Sequence, residues 1–228
     1  MNKYVRALKA LDVAVIQELL QKEPKWLQWS EEEGKNALHY VSGLDISDDS
    51  RKVDASLQLV KLLLASGMEL NAVHRIPDNK CGFFSATPLW YAYTRGRNEK
   101  LYTYLLNEGA NPNHCMFAIA WNNDVKAANR FKKHEAEIED AAFLSAFNWR
   151  RFEIAEWFLK NGTNVDYPDS DGNTALHQAI QRKYKIEQIE MLLQYGADCN
   201  QRNNEGISPK TLAELNNRTK VLRLFEAM

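Results

Sequence analysis

Apolar residues in this chain recur at helical spacing, in short runs broken by Gly, Pro, Asn and Asp. Leu89 and Ala92 stand three apart, as do Leu176 and Ala179, which puts each pair on one helix face. A second run follows the first in each region. Ile189, Leu192 and Leu193 form its inward stripe near the carboxyl end. Near the amino end Val15, Ile16, Leu19 and Leu20 make a similar stripe, and Glu23-Pro24 stops it. Val221-Leu-Arg-Leu-Phe closes a last helix. The pattern predicts short helices in pairs along nearly the whole chain.

The pairs are copies of one another. Residues 171–200 read DGNTALHQAIQRKYKIEQIEMLLQYGADCN, and residues 86–113 read ATPLWYAYTRGRNEKLYTYLLNEGANPN. Residues 34–71 carry GKNALHYV and then SLQLVKLLLASGMELN. Thr87 and Thr174 suit a helix N-cap, where a hydroxyl accepts an orphan backbone N–H. Pro88 suits the first helical position, where its missing N–H costs nothing. Gly67, Gly109, Gly162 and Gly196 suit left-handed caps at the end of each second helix. Asp171-Gly172 and Glu205-Gly206 read as turns between copies. Together these residues resemble the ankyrin repeat, whose T-P-L-H-x-A motif recurs at a period of about 33. Thr174-Ala-Leu-His177 and Asn36-Ala-Leu-His39 carry that motif, each followed at the right distance by Leu-Leu-x-x-Gly.

Positions equivalent to Thr174 are Asn36, Thr87, Cys115, Ala141 and Ser208, in steps of 51, 28, 26, 33 and 34. The long step accommodates an enlarged finger and an enlarged helix pair. The two short steps each lack a piece the size of a hairpin. The resemblance therefore implies an all-α ankyrin-type solenoid of about seven helix pairs, some with β-hairpin fingers, forming a single domain over 1–228. Its units are an N-terminal cap at 2–33, then 34–71, 84–113, 114–139 without a finger, 140–168, 171–200, and a C-terminal cap at 204–228.

Composition narrows the function classes. The chain has 228 residues, 29 Lys+Arg against 30 Asp+Glu, and is 45% hydrophobic, which argues against disorder. With a formal charge of -1, no overall basic excess supports a dedicated nucleic-acid binder. The middle is nevertheless locally positive, with 7 basic and 3 acidic residues across 95–134. Cys81, Cys115 and Cys199 are odd in number and scattered, which favours a reducing compartment over a disulfide framework. No apolar run reaches signal-peptide or membrane-span length. The expectation is a cytoplasmic protein, or one exported to a host cell by an unrecognised signal, with no membrane partner, and monomeric.

Catalytic and metal chemistry find little support. His39 and His177 fill the histidine of the repeat motif, which implies a structural hydrogen-bond role. His74, Cys81, His114 and Cys115 could be imagined as a metal site, yet no paired C-x-x-C or H-x-x-x-H spacing supports one. Asp169-Ser-Asp171-Gly172-Asn173 resembles the opening of a calcium loop but lacks the acidic residue at position twelve. No G-x-S-x-G, P-loop or G-x-G-x-x-G occurs. The acidic stretch Asp45–Ser50 reads as a solvated loop, with an interaction loop as its alternative. No cofactor is expected. The alternatives held open are an enzyme with a site in the irregular 74–150 region and a polyanion binder through 95–134.

What the resemblance implies is protein recognition, through the concave side built from fingertips and the exposed ends of first helices. Carried onto this chain, that surface contains Arg95, Trp121, Asn148, Trp149, Arg150 and Arg182, with Ser170, Asp171 and Asn173 at a fingertip. Tyr93, Trp121, Phe147 and Ile180 share one register and compete between core and surface. Trp149 and Arg150 stand where a regular repeat has an exposed residue and then Gly, so Trp149 is the leading hot-spot candidate. The long finger adds Arg75, Phe83 and Phe84, whose phenyl rings either project or fold back. The expected function is a non-enzymatic binder of adaptor, inhibitor or effector type, with a protein partner.

Overall fold

The computed structural model describes residues 2–78 and 82–227. Among these, fourteen α-helices run in sequence as short pairs. They are α1 (Lys3–Ala10), α2 (Val13–Lys22), α3 (Ala37–Ser42), α4 (Ser50–Ala65), α5 (Pro88–Thr94), α6 (Glu99–Asn107) and α7 (Met116–Asn122). Then follow α8 (Val125–Lys133), α9 (Asp140–Asn148), α10 (Phe152–Lys160), α11 (Ala175–Gln181), α12 (Ile186–Gln194), α13 (Pro209–Leu215) and α14 (Thr219–Glu226). Strands β1 (His74–Asp78) and β2 (Gly82–Ala86) pair antiparallel, so the class is an all-α helical repeat with a small hairpin.

Local sequence sets the helix ends. The Thr87 hydroxyl accepts from the Trp90 N–H (3.2 Å), with Pro88 in the first helical turn. The carboxamides of Asn2 and Asn98 and the carboxylate of Asp12 cap α1, α6 and α2 in the same way. Ala141, aligned above with Thr174, lies inside α9, which begins a residue earlier and has Glu139 at its cap position. Its inward pattern still holds, since Phe143 and Ala146 are buried like Leu176 and Ala179. Gly67, Gly109, Gly162 and Gly196 end four of the second helices with φ of +99°, +85°, +90° and +86°.

Two compact units divide the chain. The first comprises Met1–Cys115 with His134–Ala136, and the second Met116–Lys133 with Glu137–Met228. Within the first, α3 packs between α1 and α5, while α4 packs between α2 and α6. Within the second, α9 lies between α7 and α11, and α11 also packs on α13. First helices thus stack on first helices inside each unit. Burial follows that stacking, with Leu38, Leu59, Leu63 and Leu89 fully buried in one unit and Phe143, Phe147, Phe158 and Leu176 in the other.

The connections between pairs differ in kind. Three tight turns share one backbone bond, from the N–H of Glu31, Asp169 and Asn203 to the carbonyl four residues on. Gly34, Gly172 and Gly206 hold positive φ in these turns. The hairpin of β1 and β2 is the enlarged version expected between Asn71 and Thr87. The segments 108–115 and 134–139 are shorter than 161–174 and 195–208, and none of the four contains a strand.

Candidate protein-binding surface

The motif histidines are structural. His39 is fully buried, its Nδ1 accepts from the Asn36 N–H (3.2 Å), and its Nε2 faces the carbonyls of Ala72 (3.1 Å) and Ala86 (3.2 Å). His177 repeats this, with Nδ1 beside the Thr174 N–H (3.1 Å) and Nε2 reaching the Ile207 carbonyl (3.0 Å). Each imidazole ties the start of a first helix to the connection leading into the next pair. Burial lowers both pKa values, that of His39 to about 4, so both rings are neutral at pH 7.

Of the imagined metal ligands, His74, His114 and Cys115 are described, and they belong to no metal-binding group among the described residues. The His74 Nδ1 lies 2.8 Å from the Tyr91 hydroxyl, and Cys115 is fully buried with its thiol pushed up to about 12 by burial. Cys81 lies outside the described residues. Among the described residues no three His, Cys, Asp or Glu side chains come together as a metal-binding group. The calcium-like loop is a turn around Asp169, whose carboxylate accepts from the N–H groups of Asp171 and Asn173 and from Gln178.

The basic middle is partly neutralised. Arg97 pairs with Asp45 (3.4 Å) and Lys100 with Asp54, both in the first unit. In the second, the Lys132 ammonium donates to the Asn161 carboxamide. In the acidic loop Asp49 caps α4, accepting from the N–H groups of Arg51 and Lys52.

The long finger divides its two phenylalanines. Phe83 stands opposite Pro77 and is 50% exposed. Phe84, opposite Ile76, turns to the other face and packs on Trp90 at 5.1 Å between ring centroids. Alternation along a strand makes one ring project and the other fold back. Arg75 on β1 and Arg95 at the end of α5 are exposed in the same unit.

In the second unit the ends of α7, α9 and α11 carry an aromatic and cationic surface. Of the four residues at the contested register, Tyr93, Phe147 and Ile180 are buried and Trp121 is 53% exposed. Trp121 meets Trp149 edge to face, their ring centroids 5.0 Å apart. The Arg151 Nε donates to the Trp121 carbonyl (2.9 Å), and its guanidinium lies 5.9 Å from the Trp121 ring. Arg150 lies 4.9 Å from the Tyr184 ring centroid. The Asn148 carbonyl accepts from Arg182 (3.1 Å) and Tyr184 (3.4 Å), which fastens the end of α9 to the turn after α11.

That turn geometry recurs. Asn123, Arg150, Lys183 and Asn217, each between the first and second helix of a pair, have φ of +55°, +60°, +53° and +54°. The Gly that follows the exposed residue in a regular repeat is thus replaced here by charged or amide residues in a left-handed conformation. The fingertip residues differ among themselves. Ser170 and Asp171 are exposed, while Asn173 is buried and accepts from the Asn203 carboxamide (2.9 Å), so its side chain joins two successive turns.

Five candidates therefore form one patch: Trp121, Asn148, Trp149, Arg150 and Arg182. Sequence reasoning missed Arg151, Lys183, Tyr184 and Lys185 beside them. The available signal was the run Arg182-Lys183-x-Lys185 directly after α11.

Comparison with known proteins agrees with this architecture. The family model for ankyrin repeats, in three copies, matches residues 115–203. An ankyrin repeat protein of fowlpox virus (strain NVSL) is 28% identical over 173 residues, 74% of this chain and 43% of the relative. A monkeypox virus protein named inhibitor of apoptosis is 26% identical over 77% of this chain and 32% of its own length. The chain thus spans less than half the length of these relatives. The crystal structure of the human ASB11 ankyrin repeat domain superposes with a TM-score of 0.66 at 19% identity, covering 93% of this chain and 91% of that one. Among the described residues, no helix is long and apolar enough to cross a membrane.

Proposed function

Because the chain is an ankyrin-repeat protein, built on a fold that generally serves protein–protein interaction, we propose that it is a non-enzymatic binder of a protein partner. The binding surface is the Trp121–Trp149 patch with Arg150, Arg151 and Arg182. One observation carries this reading: two tryptophans in contact, 53% and 37% exposed, on the ends of helices whose inner residues Ala120 and Phe147 are fully buried. Exposed aromatic pairs beside arginines match the composition of binding hot spots. The helices beneath are held by Phe143, Phe147 and Ile180, so little ordering entropy opposes association.

Adaptor, inhibitor and effector roles all use this one mechanism, stoichiometric occupation of a preformed surface. The test is affinity capture with the wild-type chain beside Trp149→Ala/Arg182→Ala, followed by titration of the purified partner. Loss of the partner with the double variant is expected. Equal recovery and equal affinity with both proteins would overturn the assignment.

A further inference from the structure

The patch continues past the tryptophans into a region of one charge sign. Arg150, Arg151, Arg182, Lys183 and Lys185 are all exposed in the second unit, and none forms an ion pair among the described residues. A surface cavity of about 270 Å³ opens among Arg150, Phe152, Lys183, Tyr184, Lys185 and Gln188. Its lining holds three cations and no carboxylate. Phe152 and Tyr184 meet edge to face at 5.4 Å and give it an apolar wall. The Arg150 guanidinium already lies over the Tyr184 ring, so it is held in place before any partner arrives.

Phe152 and Gln188 also border a second cavity, whose lining includes Glu153, Glu156, Glu187 and Glu190. The sign of charge thus reverses across these two residues. An anionic segment is drawn to one side and repelled from the other, which fixes its direction as well as its position.

We propose that this surface takes an acidic linear segment of its protein partner, with a carboxylate seated between Arg150, Lys183 and Lys185 and an apolar side chain against Trp149 and Trp121. The proposal rests on the protein-binding reading above and specifies the chemistry of the partner. Charge complementarity selects the carboxylate. The tryptophan pair, continuous with Arg150 through the chain and with Arg151 through its contact to Trp121, selects the apolar neighbour.

A random linear peptide library displayed on phage and panned on the full chain tests this. The enriched peptides are then titrated against wild type, Arg150→Gln/Lys183→Gln/Lys185→Gln and Trp121→Ala/Trp149→Ala, with folding checked by circular dichroism. Lys183→Gln/Lys185→Gln, altering only two exposed side chains, serves if the triple variant unfolds. The expected result is a net-negative consensus with an apolar residue beside the acid, weakened about tenfold or more by the glutamine variants and by rising salt. A neutral or basic consensus that still depends on the tryptophans overturns the acidic partner and leaves the binding surface standing. Peptides indifferent to both sets of variants overturn the surface as well. A phosphoserine peptide that binds where its glutamate counterpart does not replaces the carboxylate by a phosphoryl group and overturns the proposal in that form.

Discussion

Trp121 and Trp149, 28 residues apart in sequence, meet edge to face at 5.0 Å while both keep much of their surface in water. The contact joins the carboxyl end of α7 to that of α9. An aromatic pair of this geometry contributes about 0.5–1.5 kcal/mol beyond its buried area. Stability therefore needs neither ring fully, and recognition can use both.

Trp149→Ala is accordingly expected to cost partner affinity about 2 kcal/mol or more, near thirtyfold. Its effect on folding should stay within about 1.5 kcal/mol, the scale of the aromatic pair. Calorimetric titration beside a thermal melt separates the two. A large drop in melting temperature with unchanged affinity would make Trp149 a structural residue.

The left-handed turns predict opposite effects for two substitutions. Lys183 holds φ +53° with an exposed side chain, so Lys183→Gly removes steric strain and should stabilise by about 0.5–1 kcal/mol. Gly172 holds φ +79°, and a Cβ there would meet the Asn204 backbone nitrogen at 2.8 Å. Gly172→Ala combines strain with collision and should cost about 2 kcal/mol or more. Urea unfolding of both variants checks the pair, and a stabilised Gly172→Ala would refute the geometry.

Burial drives the His39 pKa from its ordinary value near 6.5 down to about 4. The unfolded chain then binds a proton before the folded one does. The stability contributed by the neutral ring is complete above about pH 6.5 and is lost as pH falls toward 4. At full loss the linkage amounts to about 3 kcal/mol. His177 shifts in the same direction from burial and adds to the trend. Melting temperature should fall between pH 7 and pH 4.5, with the His39 ring titrating abnormally low by NMR. A ring titrating near 6.5 in the folded protein would remove the basis of the expectation.

The finger should show a contrast between adjacent residues. Phe83→Ser changes a projecting ring and should leave stability within about 0.5 kcal/mol. Phe84→Ala removes the packing on Trp90 and should cost about 1–2 kcal/mol. Equal melting temperatures for the two variants would contradict the alternation of faces.

Much of the fold was legible because its signals are local. Thr87-Pro88 starts α5 and Gly196 ends α12 through bonds and dihedrals spanning only a few residues. The surface was harder to read. Trp121 and Ile180 occupy the same register, yet one is exposed and the other buried, because burial depends on what packs against each helix. Asn173 sits at a fingertip, but its carboxamide bond to Asn203 exists only when the next turn is in place. Lys183 and Lys185 escaped notice because the expected column ended at Arg182, and only the fold brings their side chains around one cavity.

The connections of 108–115 and 134–139, set beside those of 161–174 and 195–208, join similar helix pairs by links of two lengths. The helices on either side run 7 to 9 residues whichever link they flank, so the length of a link changes without changing the helices it joins. Length variation is then expected at these joints and in the pair of α3 and α4, whose second helix alone runs 16 residues.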